Sequence, residues 1–188
     1  MKNFTEIRWH GRGGQGAKTA CEFVASVAIH AGKFSQGFPE YGPERSGAPM
    51  KGFTRISTEP IKQHCAVYNP DVVLVLDETL IGPVDVCEGL REGGKVIVNS
   101  AKSPRELDTN LRGEVWTVNA TQIALDKIGR PIPNMPMVGA LLKVTGLIEL
   151  DVLLKQVEQD FAKKFDSKTV EGNLAAIQEA YEEVKKDG

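Results

Sequence analysis

A glycine-rich segment between a strand-like and a helix-like stretch constrains the fold of this chain more than any other feature. Residues Gly11–Gly16 read Gly-Arg-Gly-Gly-Gln-Gly, directly after Glu6–His10 (EIRWH) and directly before Ala17–Ala31, where apolar residues recur at three- and four-residue spacing. Glycines allow a sharp turn, and the N–H groups at a helix N-terminus attract anions. The pattern therefore predicts the first strand–turn–helix unit of an open α/β sheet, with a candidate anion site at the turn.

Later segments predict the rest of this sheet. Val72–Leu76 (VVLVL), Lys95–Asn99 (KVIVN) and Glu114–Val118 (EVWTV) are apolar, β-branched runs, which is typical of strands covered on both faces. The remaining predicted strands are Lys33–Gly37, Lys51–Ser57 and, as its hairpin partner, Ile61–Ala66; the intervening predicted helices are Pro83–Glu92, Pro104–Leu111 and Thr121–Ile128. The expected fold class is α/β, an open and mostly parallel Rossmann-like sheet flanked by helices.

The last third of the chain predicts a helical C-terminal tail that packs on this sheet. Its predicted helices are Met137–Val144, Asp151–Phe165 and Lys168–Lys186, with Asp151 and Ser167 as N-caps. No linker or change of composition marks a boundary. We therefore expect one domain over residues 1–188.

Composition excludes several functional classes. The formal net charge of −2 gives no basic excess for gripping nucleic acid. No apolar run approaches the ~20 residues that span a bilayer, and the N-terminus lacks a signal-peptide pattern, so the expected location is cytoplasmic. Cys21, Cys65 and Cys87 are too far apart for an iron–sulfur cluster and are expected to be buried apolar side chains. The three histidines show no metal-ligand spacing.

Two specific ligands compete with a plain turn at the glycine segment. A dinucleotide site requires an acidic residue at the end of the second strand, but the nearest, Glu40, follows Pro39 in a loop. A P-loop would place Lys-Thr directly after Gly16, but Ala17 intervenes, and the extra residue rotates the lysine by about 100° on the helix. Neither pattern is complete, so the segment is either a plain strand–helix turn without a ligand or a site for some anionic group or partner backbone.

A second segment, Gly37–Pro49, combines aromatic, charged and turn residues, as binding loops often do. Within it, Glu44 and Arg45 are either binding residues or a surface ion pair. Asn134 precedes a predicted helix and is either a site residue or a local cap. Asp77 and Glu78 follow the central strand, where ligands of open α/β sheets gather, although a capping role is equally open.

Both segments resemble the gamma subunit of pyruvate and related 2-oxoacid:ferredoxin oxidoreductases. The similarity lies in EIRWHGRGGQGAKTA and FPEYGPERSGAPMKGFTRI, and further in NPDVVLVLDETL and IPNMPMVGALLKVTG, so that it spans nearly the whole chain. Such enzymes oxidise a 2-oxoacid to acyl-CoA and CO₂ and pass electrons to ferredoxin. The resemblance implies partner alpha, beta and delta subunits, which carry thiamine diphosphate and [4Fe–4S] clusters, while this chain assists CoA binding and holds no tightly bound cofactor itself.

The resemblance also suggests where CoA is contacted. The glycine segment offers N–H groups, Arg45 suits a phosphate, Ser46 adds a hydroxyl donor and Tyr41 can stack. The full candidate set is Gly11, Arg12, Gly13, Gly14, Gln15, Gly16, Tyr41, Glu44, Arg45, Ser46 and Asn134, with no catalytic residue and no metal ligand. His10 is expected to have a structural role.

Pyruvate is the favoured substrate of the whole enzyme, with 2-ketoisovalerate and 2-oxoglutarate as alternatives. A free-standing dinucleotide-binding oxidoreductase and a purely structural scaffold are the other hypotheses. A subunit should expose apolar area. The candidates for that surface are Phe38, Met50, Phe53, Met135 and Met137.

Overall fold

Seven strands of the computed structural model form one sheet, and the structure describes residues 4–40, 47–107 and 110–186. The strands are β1 (Phe4–Arg12), β2 (Phe34–Pro39), β3 (Pro49–Ser57), β4 (Val72–Val75), β5 (Lys95–Asn99), β6 (Glu114–Val118) and β7 (Lys185–Lys186). The helices are α1 (Ala17–His30), α2 (Ala120–Ile128), α3 (Asn134–Thr145), α4 (Leu150–Phe161) and α5 (Ser167–Glu183). Two short 3₁₀ helices cover Glu78–Leu80 and Pro104–Glu106.

The strand order is β2-β3-β1-β4-β5-β6-β7, with a parallel centre and antiparallel edges. β1, β4, β5 and β6 run parallel, whereas β3 is antiparallel to both β1 and β2, and β7 is antiparallel to β6. The chain leaves β1 through α1, reaches the outer strand β2 and returns as β3 beside β1. The predicted α/β class is confirmed, and the antiparallel edges are an addition to it.

Helices cover the first face of the sheet. Ile7 and Trp9 of β1 are fully buried against this layer, and nearly every residue of α3 is buried beneath α5. A Cβ at Gly139 of α3 would lie 2.2 Å from the carbonyl oxygen of Ile177 in α5, so glycine is needed for this close approach. Apolar packing therefore holds this layer together.

Turns and the two 3₁₀ helices, rather than α-helices, cover the second face. The predictions of helices at Pro83–Glu92 and Pro104–Leu111 are wrong, except for the 3₁₀ turn inside the latter range. Gly89 has a left-handed φ of 67°, which interrupts a right-handed helix, and the carbonyls of Val86 and Glu88 accept hydrogen bonds from the Arg8 side chain. These carbonyls are thus satisfied by a side chain from the sheet.

Other boundaries also differ from expectation. Ile61–Ala66 is irregular and not a strand, since β1 and β2 already pair with both edges of β3. The N-cap of α5 is Asp166, whose carboxylate accepts from the Thr169 N–H at 2.7 Å, and that of α4 is Glu149. The chain leaves α5 after Glu183 and adds β7 to the sheet edge, where a continuous helix was predicted.

The predicted apolar surface is wrong for the residues that lie in the core. Phe53, Met135 and Met137 are core residues, whereas Phe38 and Met50 are half-buried. Cys21 and Cys87 are buried as expected, but Cys65 is exposed. Among the described residues, no helix combines the length and the apolar character needed to cross a bilayer.

Candidate functional site

The candidate site lies where the direction of strand order reverses. From β1 the chain continues to one side of the sheet through β2 and β3, whereas β4, β5 and β6 follow on the other side. In open α/β sheets, the crevice outside the carboxyl ends of two such strands is the usual ligand position. Here that crevice is bounded by the glycine loop (Gly11–Gly16) after β1 and by Asp77 to Thr79 after β4.

The glycine loop is a tight, internally bonded turn. Gly14 and Gly16 have positive φ angles of 99° and 80°, a conformation that side chains disfavour. The Gln15 N–H donates to the Arg12 carbonyl at 3.1 Å, and the Arg12 N–H donates to the Gln15 side-chain oxygen at 2.8 Å. The strand–turn–helix prediction is thus confirmed, and Gln15 is the residue that fixes the turn.

Asn134, a candidate site residue, lies beside this loop. A Cβ at Gly16 would lie 2.5 Å from the Asn134 side-chain nitrogen, so only glycine fits there. The Asn134 side-chain oxygen accepts from the Met135 N–H at 2.8 Å, which is the local bonding considered as the alternative role. α3 begins at Asn134 rather than at Met137.

Part of the loop backbone is already committed to the start of β3. The Gly13 N–H donates to the Ala48 carbonyl at 3.0 Å, and the Gly47 N–H donates to the Gly13 carbonyl at 3.2 Å. At α1, Gly16 offers no side-chain cap and the first turn holds no acidic residue. The N–H groups of the first helical residues, Ala17 to Thr19, therefore have no partner within the helix. The anion-attracting groups are therefore those of the helix start rather than those of Gly13 and Gln15.

Four of the predicted site residues, Tyr41, Glu44, Arg45 and Ser46, lie outside the described residues. Of the residues on either side of that segment, Gly47 lies beside the glycine loop, whereas Glu40 lies at the end of the outer strand β2. Glu40 continues the β2–β3 ladder through its N–H bond to the Lys51 carbonyl at 2.9 Å, and Gly47 contacts Gly13.

A polar bridge crosses the crevice from β1 to β4, formed by Arg12, Gln15, Asp77 and Thr79. Arg12 Nε lies 3.2 Å from Asp77 Oδ2, and Gln15 Nε2 donates to the same oxygen at 2.8 Å. Arg12 Nη2 donates to Thr79 Oγ1 at 2.8 Å, and Thr79 N donates to Asp77 Oδ1 at 3.0 Å. Asp77 thus serves both as the N-cap of the 3₁₀ turn and as an anchor for the glycine loop.

The bridge sets the charge of Asp77. Partial burial acts to raise the pKa of this carboxyl, but hydrogen bonds from Thr79 and Gln15, together with the Arg12 charge, hold the pKa below its ordinary value. Asp77 is therefore an anion at neutral pH. A carboxylate already bonded on both oxygens is poorly placed to accept from a ribose.

Polar side chains at the next strand end were missed in the sequence analysis. Asn99, at the end of β5, donates to the Leu76 carbonyl at 2.8 Å and accepts from the Thr121 N–H at 3.0 Å, which ties β4 to α2. Ser100 donates to Glu78, whose carboxylate also pairs with Lys102 at 3.4 Å. The available signal was their position directly after an apolar strand.

His10 has a structural role, as expected. It points into the second face, 2% exposed, and its Nε2 lies 3.0 Å from Arg8 Nε. Burial, reinforced by the charges of Arg8 and Lys51, lowers the pKa of His10 to about 3. His10 is therefore neutral near pH 7.

The part of the chain that the structure describes contains no group of three or more His, Cys, Asp or Glu residues placed to hold a metal ion. Glu40, the acid considered for a dinucleotide ribose, lies 3.9 Å from Lys51 in an exposed ion pair. The site thus offers a helix N-terminus, an arginine and amide groups. These groups suit binding of an anion.

Fold and site together define an open α/β domain with an anion-attracting glycine loop at its topological switch point. The sequence profile of the family "Pyruvate ferredoxin/flavodoxin oxidoreductase" matches residues 6–183. The chain therefore belongs to this family.

Characterised relatives match over nearly their full length. Pyruvate synthase subunit PorC of Thermotoga maritima is 50% identical over 186 residues, which cover 98% of this chain and 96% of the relative. The pyruvate/ketoisovalerate oxidoreductases common subunit gamma of Thermococcus kodakarensis is 45% identical over 94% of this chain and 95% of its own length.

Solved structures agree with the fold. The crystal structure of the pyruvate oxidoreductase subunit PORC from Thermotoga maritima has a TM-score of 0.88 and 46% identity, with both chains covered completely. A 2-oxoglutarate:ferredoxin oxidoreductase from Magnetococcus marinus has a TM-score of 0.77 at 23% identity, which shows the fold alone. This chain matches 32% of that longer chain, so the fold also occurs as one part of a larger polypeptide.

Proposed function

We propose that this protein is the gamma subunit of a 2-oxoacid:ferredoxin oxidoreductase that converts pyruvate to acetyl-CoA and CO₂. The observation that carries the proposal is full-length similarity, at 43–50% identity, to relatives named as pyruvate synthase or pyruvate/ketoisovalerate oxidoreductase subunits. The partners are the alpha, beta and delta chains of the same enzyme, and ferredoxin accepts the electrons.

Within the complex, this chain helps to bind CoA and to hold the assembly together. Support comes from the glycine loop, where the uncapped start of α1 attracts the anionic groups of CoA. Arg45 is proposed as a further phosphate contact because a guanidinium matches phosphate oxygens. Thiamine diphosphate and the iron–sulfur clusters are proposed to belong to the partner chains, since the three cysteines of this chain are far apart in the sequence.

Substrate choice is proposed to lie in the partner chains. The relative in Thermococcus kodakarensis is named as a subunit common to pyruvate and ketoisovalerate oxidoreductases, so one gamma chain serves two substrates there. A 2-ketoisovalerate or a 2-oxoglutarate enzyme thus remains the alternative within the family. The free-standing dinucleotide enzyme has weaker support, because Glu40 pairs with Lys51 and the polar bridge crosses the crevice.

The test is an anaerobic native pull-down of the tagged chain from its own cells. The co-purifying proteins are identified and assayed for CoA-dependent oxidation of pyruvate, 2-ketoisovalerate and 2-oxoglutarate with ferredoxin. Partners that carry thiamine diphosphate and clusters, with pyruvate as the best substrate, are the expected result. Recovery of the chain alone, without this activity, would overturn the proposal.

The CoA role is tested in the same complex with Arg45→Ala. Loss of a charge-assisted phosphate contact should raise the apparent KM for CoA by about ten-fold, with the KM for pyruvate unchanged. Arg130→Ala, at an exposed position between α2 and α3, is the matched control. Equal KM values for CoA in the two variants would remove Arg45 from the site.

A further inference from the structure

We infer that Asp77 holds Arg12 in place of a ligand phosphate, and that an anionic group of CoA displaces Asp77 from Arg12 when it binds. The inference rests on the proposed function, in which CoA reaches the glycine loop, and assigns a role in CoA specificity to an ion pair of the polar bridge. Asp77 thereby acts as an internal competitor of the ligand.

The geometry of the ion pair is the first support. Arg12 Nε lies 3.2 Å from Asp77 Oδ2, and the hydrogen bond that it donates goes to Thr79 Oγ1, also at 3.2 Å. Its terminal nitrogens donate to neutral oxygens, Nη1 to the Gly47 carbonyl at 3.2 Å and Nη2 to the Thr79 hydroxyl at 2.8 Å. The guanidinium fork, which binds phosphate best through two parallel bonds, is therefore not matched to an anion in this arrangement.

A second ion pair in this chain shows a closer contact between a guanidinium and a carboxylate. Arg112 Nη2 lies 2.8 Å and 2.7 Å from the two carboxylate oxygens of Asp85. Arg12 and Asp77 are less exposed than this pair, with side-chain exposures of 30% and 17% against 60% and 58%, yet their contact is longer. Arg12 thus retains capacity for a better-matched anion.

Asp77 also tolerates the loss of Arg12. Three other groups donate to its carboxylate: Gln15 Nε2 at 2.8 Å, the Thr79 N–H at 3.0 Å and the Thr79 hydroxyl at 2.6 Å. When Arg12 turns toward a phosphate, the carboxylate keeps these bonds and stays satisfied. The exchange therefore leaves no buried charge without a partner, which would otherwise make it costly.

Position makes the exchange possible. Arg12 is the last residue of β1, four residues before the N-cap of α1, and is exposed enough to reach solvent. An anion drawn to the start of α1 arrives beside this guanidinium and meets the negative charge of Asp77. Removal of that charge should therefore strengthen CoA binding, although a simple positioning role for Asp77 would predict weaker binding.

The test is a double-mutant cycle in the assembled oxidoreductase, with the apparent KM for CoA as the readout. The variants are Arg12→Ala, Asp77→Asn and the double substitution. Asp77→Asn also disturbs the hydrogen bond from Gln15. The same disturbance occurs in the Arg12→Ala background, so the comparison of the two backgrounds removes its effect on the KM. Asp85→Asn, which breaks the other ion pair, is the control and should leave the KM for CoA unchanged.

The inference predicts both the direction and the magnitude of the change in the KM for CoA. In each background, the KM for CoA with Asp77→Asn is divided by the KM for CoA without it. This ratio should be about two- to five-fold lower when Arg12 is present than in the Arg12→Ala background, which is the range for a partly exposed ion pair. Equal ratios, or a higher ratio with Arg12 present, overturn the inference. If Arg12→Ala raises the KM but the ratios are equal, the proposed CoA site stands without the displacement of Asp77. If no variant changes the KM, the proposed CoA role of this loop fails as well, and the inference with it.

Discussion

The two faces of β1 are held down by different interactions. Ile7 and Trp9 point to the first face, where they are fully buried under helices. Arg8 and His10 alternate with them and point to the second face, also almost fully buried but under turns. One strand thus carries an apolar stripe and a polar stripe, and both are excluded from water.

The difference follows from what covers each face. A helix satisfies its own carbonyls and N–H groups, so the strand beneath it needs only apolar side chains. The turns over the second face leave carbonyls unsatisfied, and the Arg8 guanidinium donates to two of them, Val86 at 3.0 Å and Glu88 at 2.6 Å. At β1, the irregular covering structure is therefore bonded by a polar side chain from the sheet. At β4 and β5, the same face is apolar, and Val73 and Val98 belong to one cluster with Val86 of the turns.

A second buried arginine repeats the arrangement at β3. Arg55 is 1% exposed, pairs with Glu6 at 2.9 Å and donates to the carbonyl of Cys65 at 2.8 Å and that of Ala66 at 3.2 Å. The irregular segment that was predicted as a strand is thus held by the same kind of contact as the turns over Arg8. At β1 and β3, the second face is thus stabilised through side chain to backbone bonds.

The largest effect is expected on the first face, from Trp9→Ala. The ring is fully buried, and its Nε1 donates to Thr54 Oγ1 at 3.0 Å. Loss of this side chain leaves a cavity in a layer that packing holds, so the free energy of unfolding should fall by about 3–5 kcal/mol. Urea unfolding of the purified chain, followed by far-UV circular dichroism, measures it. A loss under about 1 kcal/mol would show that the helical layer does not depend on packing at Trp9.

A smaller and more local effect is expected on the second face, from Arg8→Met. The carbonyls of Val86 and Glu88 lose their donor while most of the side-chain volume remains, which should cost about 1–3 kcal/mol. Amide hydrogen exchange should accelerate mainly over residues 84–90, whereas Trp9→Ala should accelerate it across the sheet. Arg130→Met, at an exposed position between α2 and α3, is the control. Unchanged exchange over residues 84–90 would mean that the turns are held by apolar contacts alone.

The same contrast explains how much of the fold the sequence could reveal. Helical periodicity identified α1 and the C-terminal helices, and apolar runs identified β4, β5 and β6, because packing on both sides leaves a clear pattern. The segment 83–92 carries helix-like residues, but its backbone is determined by Arg8, 78 positions away from Val86. The contact with Arg8 leaves no local signal, and Gly89, whose positive φ interrupts a helix, was the one local sign that the prediction missed.

The candidate site divides in a similar way. Gly14 and Gly16 could be recognised because only glycine adopts their backbone conformation readily, and Asn134 does lie beside Gly16. The partners of Arg12 could not be recognised, since Asp77 and Thr79 meet it only when β1 and β4 pair. Local backbone requirements are visible in a sequence, whereas side-chain partners across strands depend on the completed sheet.

The smallest effect near neutral pH concerns His10, which sharpens the comparison because the first face of β1 has no ionisable side chain. The folded-state pKa of His10, about 3, lies below the ordinary value of 6.5, so the unfolded chain binds the proton more readily. The stability is complete above pH 6.5 and is lost as pH falls from there toward 3. The expected loss is below about 1 kcal/mol between pH 7 and pH 6, and the slope then approaches about 1.4 kcal/mol per pH unit.

Urea unfolding from pH 7 to pH 4.5 should show this slope in the parent chain and in the control His64→Gln, whose side chain is exposed. The slope should be reduced in His10→Gln, where an amide oxygen can still accept from Arg8. Equal slopes in all three proteins would show that water or a counter-charge reaches His10, and that the second face is less dry than its burial indicates.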